Sequence, residues 1–401
     1  MEIDIGRGKK GRRAYGFDDI AIVPSRRTRD PDDIDISWTL GPYRFELPLV
    51  ASAMDGVVSP DTAVLVNELG GLGVLNLEGI WSRFENAEER LEAIAAAPKH
   101  EATRLMQEIY TEPVKAELIA KRIEEIKARG AVVCGSLTPQ KVREYYEVAV
   151  EAGLDILVIQ GTVISAEHVS STSEPLNLKE FIASVPVPCV VGGCASYSTG
   201  LHLMRTGAVG VLVGVGPGAA CTTRGVLGIG VPQATAIADV AAARSQHMLE
   251  TGQYCNVIAD GGMRTGGDVS KAVACGADAV MIGSPLARAK EAPGRGYHWG
   301  MATFHPSLPR GTRVTTVQDG SLEQILLGPA NENDGTFNLM GALRTSMATT
   351  GYEDIPSFHR AEVMVAPALQ TEGKQLQRSQ SVGMGSNGRS AVANAVAVSD
   401  D

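Results

Sequence analysis

Val209-Gly210-Val211-Leu212-Val213-Gly214-Val215-Gly216-Pro217-Gly218-Ala219-Ala220-Cys221-Thr222-Thr223-Arg224 is the stretch on which the architecture turns. Its first five residues are apolar without alternation, the pattern of a short strand buried on both faces. Glycine then stands at alternate positions, leaving a loop of nearly bare backbone that ends at Cys221. Taken alone, this would be a tight turn followed by a small buried residue. Two further loops change that reading. Asp260-Gly261-Gly262 and Gly283-Ser284 each directly follow a strand-like run. Together the three loops predict a phosphate-bearing ligand presented to a cysteine nucleophile.

The same strand pattern recurs along the chain. Apolar runs lie at Pro48–Ala51, Gly71–Leu75, Ala131–Cys134, Ile156–Ile159, Pro188–Val191, Gly210–Val213, Asn256–Ala259 and Ala279–Ile282. Helix-like segments separate them, among them Thr199–Thr206 and Val269–Cys275, each followed by a Gly-Ala stop. Strands of this kind alternating with helices form a parallel sheet, and eight of them predict a closed (β/α)₈ barrel, the TIM barrel, rather than an open sheet. Between the second and third runs, Phe84 to Arg129 is polar and helical, with Leu118, Ile119, Ile123 and Ile126 at helical spacing. It reads as a helical insertion, an elaborated helix layer or an oligomer contact. An apolar helix is expected near Leu339–Ala348. The prediction is one catalytic domain over 1–368 and a disordered tail over 369–401, where aromatic residues vanish and Gln, Ser, Gly and Asn dominate.

With 401 residues, 45 glycines, 44% hydrophobic and 5% aromatic residues, the composition suits a compact α/β protein. A net charge of −10 argues against nucleic acid or an anionic membrane as partner. No apolar run approaches the ~20 residues that span a bilayer, and Met1-Glu2-Ile3-Asp4 lacks a signal-peptide pattern. The six cysteines are scattered, and all but Cys221 fall in apolar runs, which fits a reducing, cytoplasmic setting.

Gly6, Gly8 and Gly11 match G-x-G-x-x-G by chance, since no strand precedes them. His202 and His247 read as ordinary helix residues. His298, in Gly296-Tyr297-His298-Trp299-Gly300-Met301, follows the eighth strand and is expected at the barrel mouth. Loops after strands seven and eight of such barrels commonly bind phosphate through backbone N–H groups. Glycine at 261, 262 and 283 lets the anion approach, and Asp260 is placed to accept from ribose hydroxyls.

Gly214-x-Gly216-Pro217-Gly218-x-x-Cys221-Thr222-Thr223-Arg224, followed by Gly228-Ile229-Gly230-Val231-Pro232-Gln233, resembles the active-site loop of IMP dehydrogenases and GMP reductases. Phe17-Asp18-Asp19-Ile20-Ala21-Ile22-Val23-Pro24, Ser52-Ala53-Met54-Asp55, Ile258–Gly262, Gly276–Ser284 and Gly341–Met347 agree, so the resemblance runs from about Arg12 to Ala366. It implies that Cys221 attacks C2 of a bound purine mononucleotide, forming a covalent thioimidate, while hydride passes between C2 and a nicotinamide. Thr223 is then expected beside the reacting C2 substituent. Ser52, Met54, Asp260, Gly261, Gly262, Gly283, Ser284, His298, Gly300 and Met301 are expected to hold the nucleotide. The cofactor, NADPH or NADH, is expected against Gln160, Gly161, Gly214 and Gly216. Carbonyls of Gly216, Gly218 and Cys221 correspond to a potassium site, and a homotetramer or larger homo-oligomer is implied.

The chain also departs from the family pattern. The regulatory nucleotide-sensing pair of domains is replaced by the Phe84–Arg129 stretch, and Gly300-Met301-Ala302-Thr303 runs quickly into Leu308–Arg313 with no Arg-Tyr pair of a long flap. Arg310 stands where a glutamate is usual, Ala219 where a phosphate-loop serine is. Gln160, Cys194 and Leu212 replace the Asp, Asn and basic residue around the nicotinamide. Without the flap, hydrolysis of the intermediate loses its water-activating machinery, which favours GMP reductase: GMP and NADPH to IMP and ammonia. IMP dehydrogenase and a non-catalytic nucleotide-binding protein are the alternatives, with an unrelated phosphate-binding barrel a weaker third.

Overall fold

The computed structural model of the protein describes residues 2–165, 176–300, 312–366 and 373–385. Its centre is a closed barrel of eight parallel strands arranged in chain order. They are β1 (Leu49–Ala51), β2 (Leu72–Asn76), β3 (Cys134–Leu137), β4 (Ile156–Gln160), β5 (Cys189–Cys194), β6 (Gly210–Val213), β7 (Asn256–Asp260) and β8 (Ala279–Ile282). Pairing of Val280 with Leu49 closes the ring. All eight expected strands exist. The third lies three residues later than the apolar run suggests, because Val133 is already engaged before the ladder: its N–H donates to Asp155 Oδ2 at 2.8 Å and its carbonyl accepts from Asp155 N. Glycine and serine at 135 and 136 then form the strand proper, a place where apolar periodicity gives no cue.

Helices return the chain outside the barrel. Those used below are α1 (Pro60–Glu68), α2 (Ala87–Ala96), α3 (Lys99–Ile109), α4 (Ala116–Lys127), α5 (Val142–Glu151) and α6 (Leu178–Ser184), then α7 (Tyr197–Met204) and α8 (Thr223–Leu227). After them come α9 (Gln233–Thr251) and α10 (Gly266–Ala274). The expected helix near 199–206 begins two residues early because Ser196 caps it, its hydroxyl accepting from Thr199 N. The helix α10 likewise starts at a capping box of Thr265 and Asp268. The glycine stops Gly207 and Gly276 have φ of +94° and +113°, where a side chain would be strained.

The insertion after β2 resolves into two parts. Helix α4 packs on α1 and α5 as the ordinary return helix of the barrel, burying Leu118, Ile119, Ile123 and Ile126. Helices α2 and α3 are the addition. The late apolar helix spans Leu339–Thr349 and packs on α10. Within the stretch expected to be a disordered tail, the described residues carry a short exposed helix, Gln375–Ser379, and a turn at Gly383–Gly385. Among the described residues, no helix is long and apolar enough to cross a membrane.

Candidate active site

The C-terminal ends of the strands open into a cavity of about 1060 Å³. Each expected site residue within the described part of the chain lines it; Met301 and Arg310 lie outside the described residues. Cys221 is the exposed cysteine of the six. Its Sγ–H donates to Thr223 Oγ1 at 3.2 Å, and Thr223 itself is only 2% exposed. The remaining five are held in the thiol form by burial: Cys189 and Cys194 are pushed up to about 12, Cys275 to about 11, and Cys134 and Cys255 higher still. Thiolate chemistry therefore has one accessible address.

Arg224 shapes the cysteine loop. Its side chain lies across Gly216 and Gly230, where an added Cβ would meet it at 2.6 Å, and its Nη2 donates to Val231 O at 2.7 Å. Gln233 fastens the loop from below, donating to Val213 O at 2.6 Å and Asp260 O at 3.2 Å. Gly214 is required there, because any side chain would overlap the Asp260 carbonyl.

Beside the cysteine loop, Gly261 and Gly262 both hold left-handed φ, +80° and +84°, packed against its Gly218 and Pro217. The Gly261 N–H donates to Met281 O at 3.1 Å, so this residue shapes the wall rather than offering a donor. Met54 Sδ rests against bare Gly283, where a Cβ would stand 2.6 Å from the sulfur. Ser52 N–H continues the ladder to Ile282 O at 3.0 Å.

Three polar groups define the electrostatics. Asp260 is half-buried, and desolvation pushes its carboxyl up to about 7, opposed by the Gln160 amide donating to Oδ2 at 3.2 Å. Gln160 Oε1 is buried with no partner among the described residues. His298 is fully buried; its Nε2 meets Ser284 Oγ at 2.7 Å, its Nδ1 has no partner among the described residues, and burial lowers its pKa to about 4. Gly161 and Gly300 complete the wall.

Cys194 and Leu212 do not reach the cavity. Both are buried, with Cys194 Sγ–H donating to Leu212 O at 3.5 Å. The sequence reading passed over Asp18 and Arg264, which line the cavity and pair at 3.4 Å. The signal was available for Asp18, which lies within the Phe17–Pro24 motif.

Residues 14–375 match the family described as "IMP dehydrogenase / GMP reductase domain". An uncharacterized oxidoreductase of Mycolicibacterium smegmatis is 47% identical over 372 residues, covering 90% of this chain and 99% of that protein. The inosine-5'-monophosphate dehydrogenase of Cryptosporidium parvum is 31% identical over 369 residues, covering 84% and 88%. The crystal structure of an IMP dehydrogenase/GMP reductase-like protein from Corynebacterium glutamicum superposes with a TM-score of 0.87 at 45% identity, covering 91% of this chain and 97% of that one. With its barrel and its cysteine loop, this chain belongs to the IMP dehydrogenase/GMP reductase family of oxidoreductases.

Proposed function

We propose that the protein oxidises IMP to XMP at purine C2 through Cys221, with NAD as hydride acceptor. The carrying observation is the Cys221–Thr223 pair, the exposed thiol of the chain, set on a cavity also lined by Gly261, Gly262 and Gly283. The Cys221 thiolate would add to C2, and a nicotinamide held beside Gln160 and Gly161 would accept the hydride that leaves C2 with its bonding pair. The resulting thioimidate would be cleaved by water, whose oxygen goes to C2 and whose released proton passes to solvent, returning the thiolate and giving XMP. Thr223 Oγ1 stands beside the sulfur, where it orients the C2 substituent. The nucleotide phosphate is read onto Gly262, Gly283 and Ser284, with Asp260 accepting from the ribose.

The residues present suit a nicotinamide. Gln160 carries a buried amide oxygen lacking a partner, and Gly161, Gly214 and Gly216 give an uncharged wall beside it. The cofactor would supply hydride acceptance there. The Gly218 carbonyl accepts from the Cys221 N–H at 3.0 Å and keeps a second lone pair, so the carbonyls of Gly216, Gly218 and Cys221 could hold a potassium ion.

Proton supply favours this direction. Reduction of GMP needs a proton for the departing amine. His298 is the donor the sequence offers, yet with a pKa of about 4 it is neutral at pH 7. Asp260 titrates near 7 in the open site, but ribose hydroxyls donating to it would hold it ionised. The similarity to a named IMP dehydrogenase points the same way. GMP reduction is the second reading, favoured by the short passage from Gly300 to Arg313. The test is purified protein with IMP and NAD, or GMP and NADPH, followed by nicotinamide absorbance and product analysis. XMP formation is expected; NADPH consumption with GMP alone would reverse the direction, and tight nucleotide binding without either reaction would favour the non-catalytic alternative.

A further inference from the structure

We infer that the added helices α2 and α3 are a brace that holds two nucleotide-binding loops in register, through Tyr110 at the end of α3. The Tyr110 hydroxyl sits between two neighbouring loops, which also meet directly where Gly294 N–H donates to Gly56 O at 3.0 Å. It donates to Asp55 Oδ2, and it accepts from Trp299 Nε1 at 2.7 Å. Asp55 follows Met54, and Trp299 lies between His298 and Gly300; those three neighbours all line the cavity. One phenol therefore joins the loop after β1 to the loop after β8.

The joint is buried and built. Asp55 and Trp299 are each 1% exposed. Ile80 N–H donates to Asp55 Oδ2 at 3.1 Å, and a side chain at Gly79 would overlap the carboxylate. Asp55 Oδ1 has no partner among the described residues. Burial without full compensation raises the Asp55 carboxyl to about 6. Arg83 fixes Tyr110 from the other side, donating to its carbonyl at 3.1 Å, to Glu112 O, and to Glu78 O at 2.9 Å.

A second set of contacts grips the same loop further out. Arg295 pairs with Glu92 of α2, and Arg313 donates to Ile94 O of α2 while stacking over the Tyr297 ring at 4.2 Å. Tyr297–His298 and Val314–Thr315 form a small antiparallel pair between these arginines. The addition thus touches both flanks of the segment that carries His298 and Gly300, while the strand-six loop with Cys221 shows no bond to it among the described residues. Tyr110 is on this view a positioning residue, not a catalytic one.

The inference rests on the proposed reading of the cavity as a nucleotide site, and its test separates the two. Tyr110→Phe keeps the ring and removes the hydroxyl; Asp55→Asn keeps the accepting oxygen. Tyr110→Phe should weaken IMP binding about tenfold, measured by calorimetry, with the rate of Cys221 alkylation by iodoacetamide unchanged. Amide hydrogen exchange should quicken at 53–58 and 297–300 and stay the same at 214–220. Asp55→Asn should retain affinity within about threefold. If Tyr110→Phe does not fold, Trp299→Phe removes the other bond and carries the same measurements. Unchanged exchange at both loops with unchanged affinity overturns the brace, as does quickening spread evenly over the barrel. A wild-type chain that binds no IMP overturns the proposed function, and the exchange comparison then decides the brace alone.

Discussion

Asp260→Asn should make inosine binding indifferent to pH in a window where the wild type is sensitive. In the open site the Asp260 carboxyl titrates near 7, raised by desolvation and only partly relieved by Gln160. Ribose hydroxyls donate most strongly to the ionised carboxylate, so binding below that pH is coupled to loss of a proton. The sign follows directly: a raised carboxyl holds its proton more tightly in the free protein, and affinity falls as pH drops through the raised value. About one unit below it, roughly one molecule in ten carries the carboxylate, a penalty of about tenfold, or ~1.4 kcal/mol. Well above it the penalty disappears and affinity levels off. Calorimetric titration of IMP at about pH 6, 7 and 8, in buffers of different protonation enthalpy, reads both the affinity and the proton released. The nucleotide's own phosphate titrates near pH 6, so inosine, which lacks it, is the control that isolates Asp260. The variant should bind more weakly than wild type at about pH 8, and its inosine affinity should be flat. An equal slope in Asp260→Asn and wild type would refute the assignment of this carboxylate to the ribose.

Cys221→Ala should abolish turnover while IMP still binds within about threefold; normal turnover would remove Cys221 from the chemistry. Iodoacetamide should label native protein first at Cys221, since the other five thiols are buried or partly so and held protonated; mass spectrometry finding early labelling elsewhere would contradict that. Gly262→Ala places a side chain at φ +84° and 3.0 Å from Pro217 Cβ, so it should cost about 1–2 kcal/mol by thermal melting and weaken nucleotide binding. An unchanged melt would mean the loop can refold around the methyl group. Deleting residues 373–401 should leave the melting temperature nearly unchanged, because the described part of that stretch, 373–385, is mostly exposed. A large drop would show that the tail docks.

How much of this was legible in the sequence depends on how far apart the interacting groups lie. Strands of a closed parallel barrel are buried on both faces, so each announces itself as a continuous apolar run, and seven of the eight fell where those runs stand. The exception, β3, is set by the Asp155 carboxylate on Val133, a bond across 22 residues with no periodic trace. The cavity was legible for a related reason. A barrel brings the C-terminal ends of its strands to one face, so Cys221, Asp260–Gly262 and Gly283–Ser284 converge without any pairwise contact needing to be foreseen. What topology does not convey is environment. His298 was expected at the mouth, and the structure shows it lining the cavity but buried against Ser284, with burial lowering its pKa to about 4. The insertion is the extreme case. Its helical spacing was readable, but Tyr110 meets Asp55 across 55 residues and Trp299 across 189, and none of the three carries a local signature of the others. A single hydroxyl at a helix end is the kind of group that sequence pattern passes over. Here it is the link between an inserted pair of helices and the mouth of the barrel.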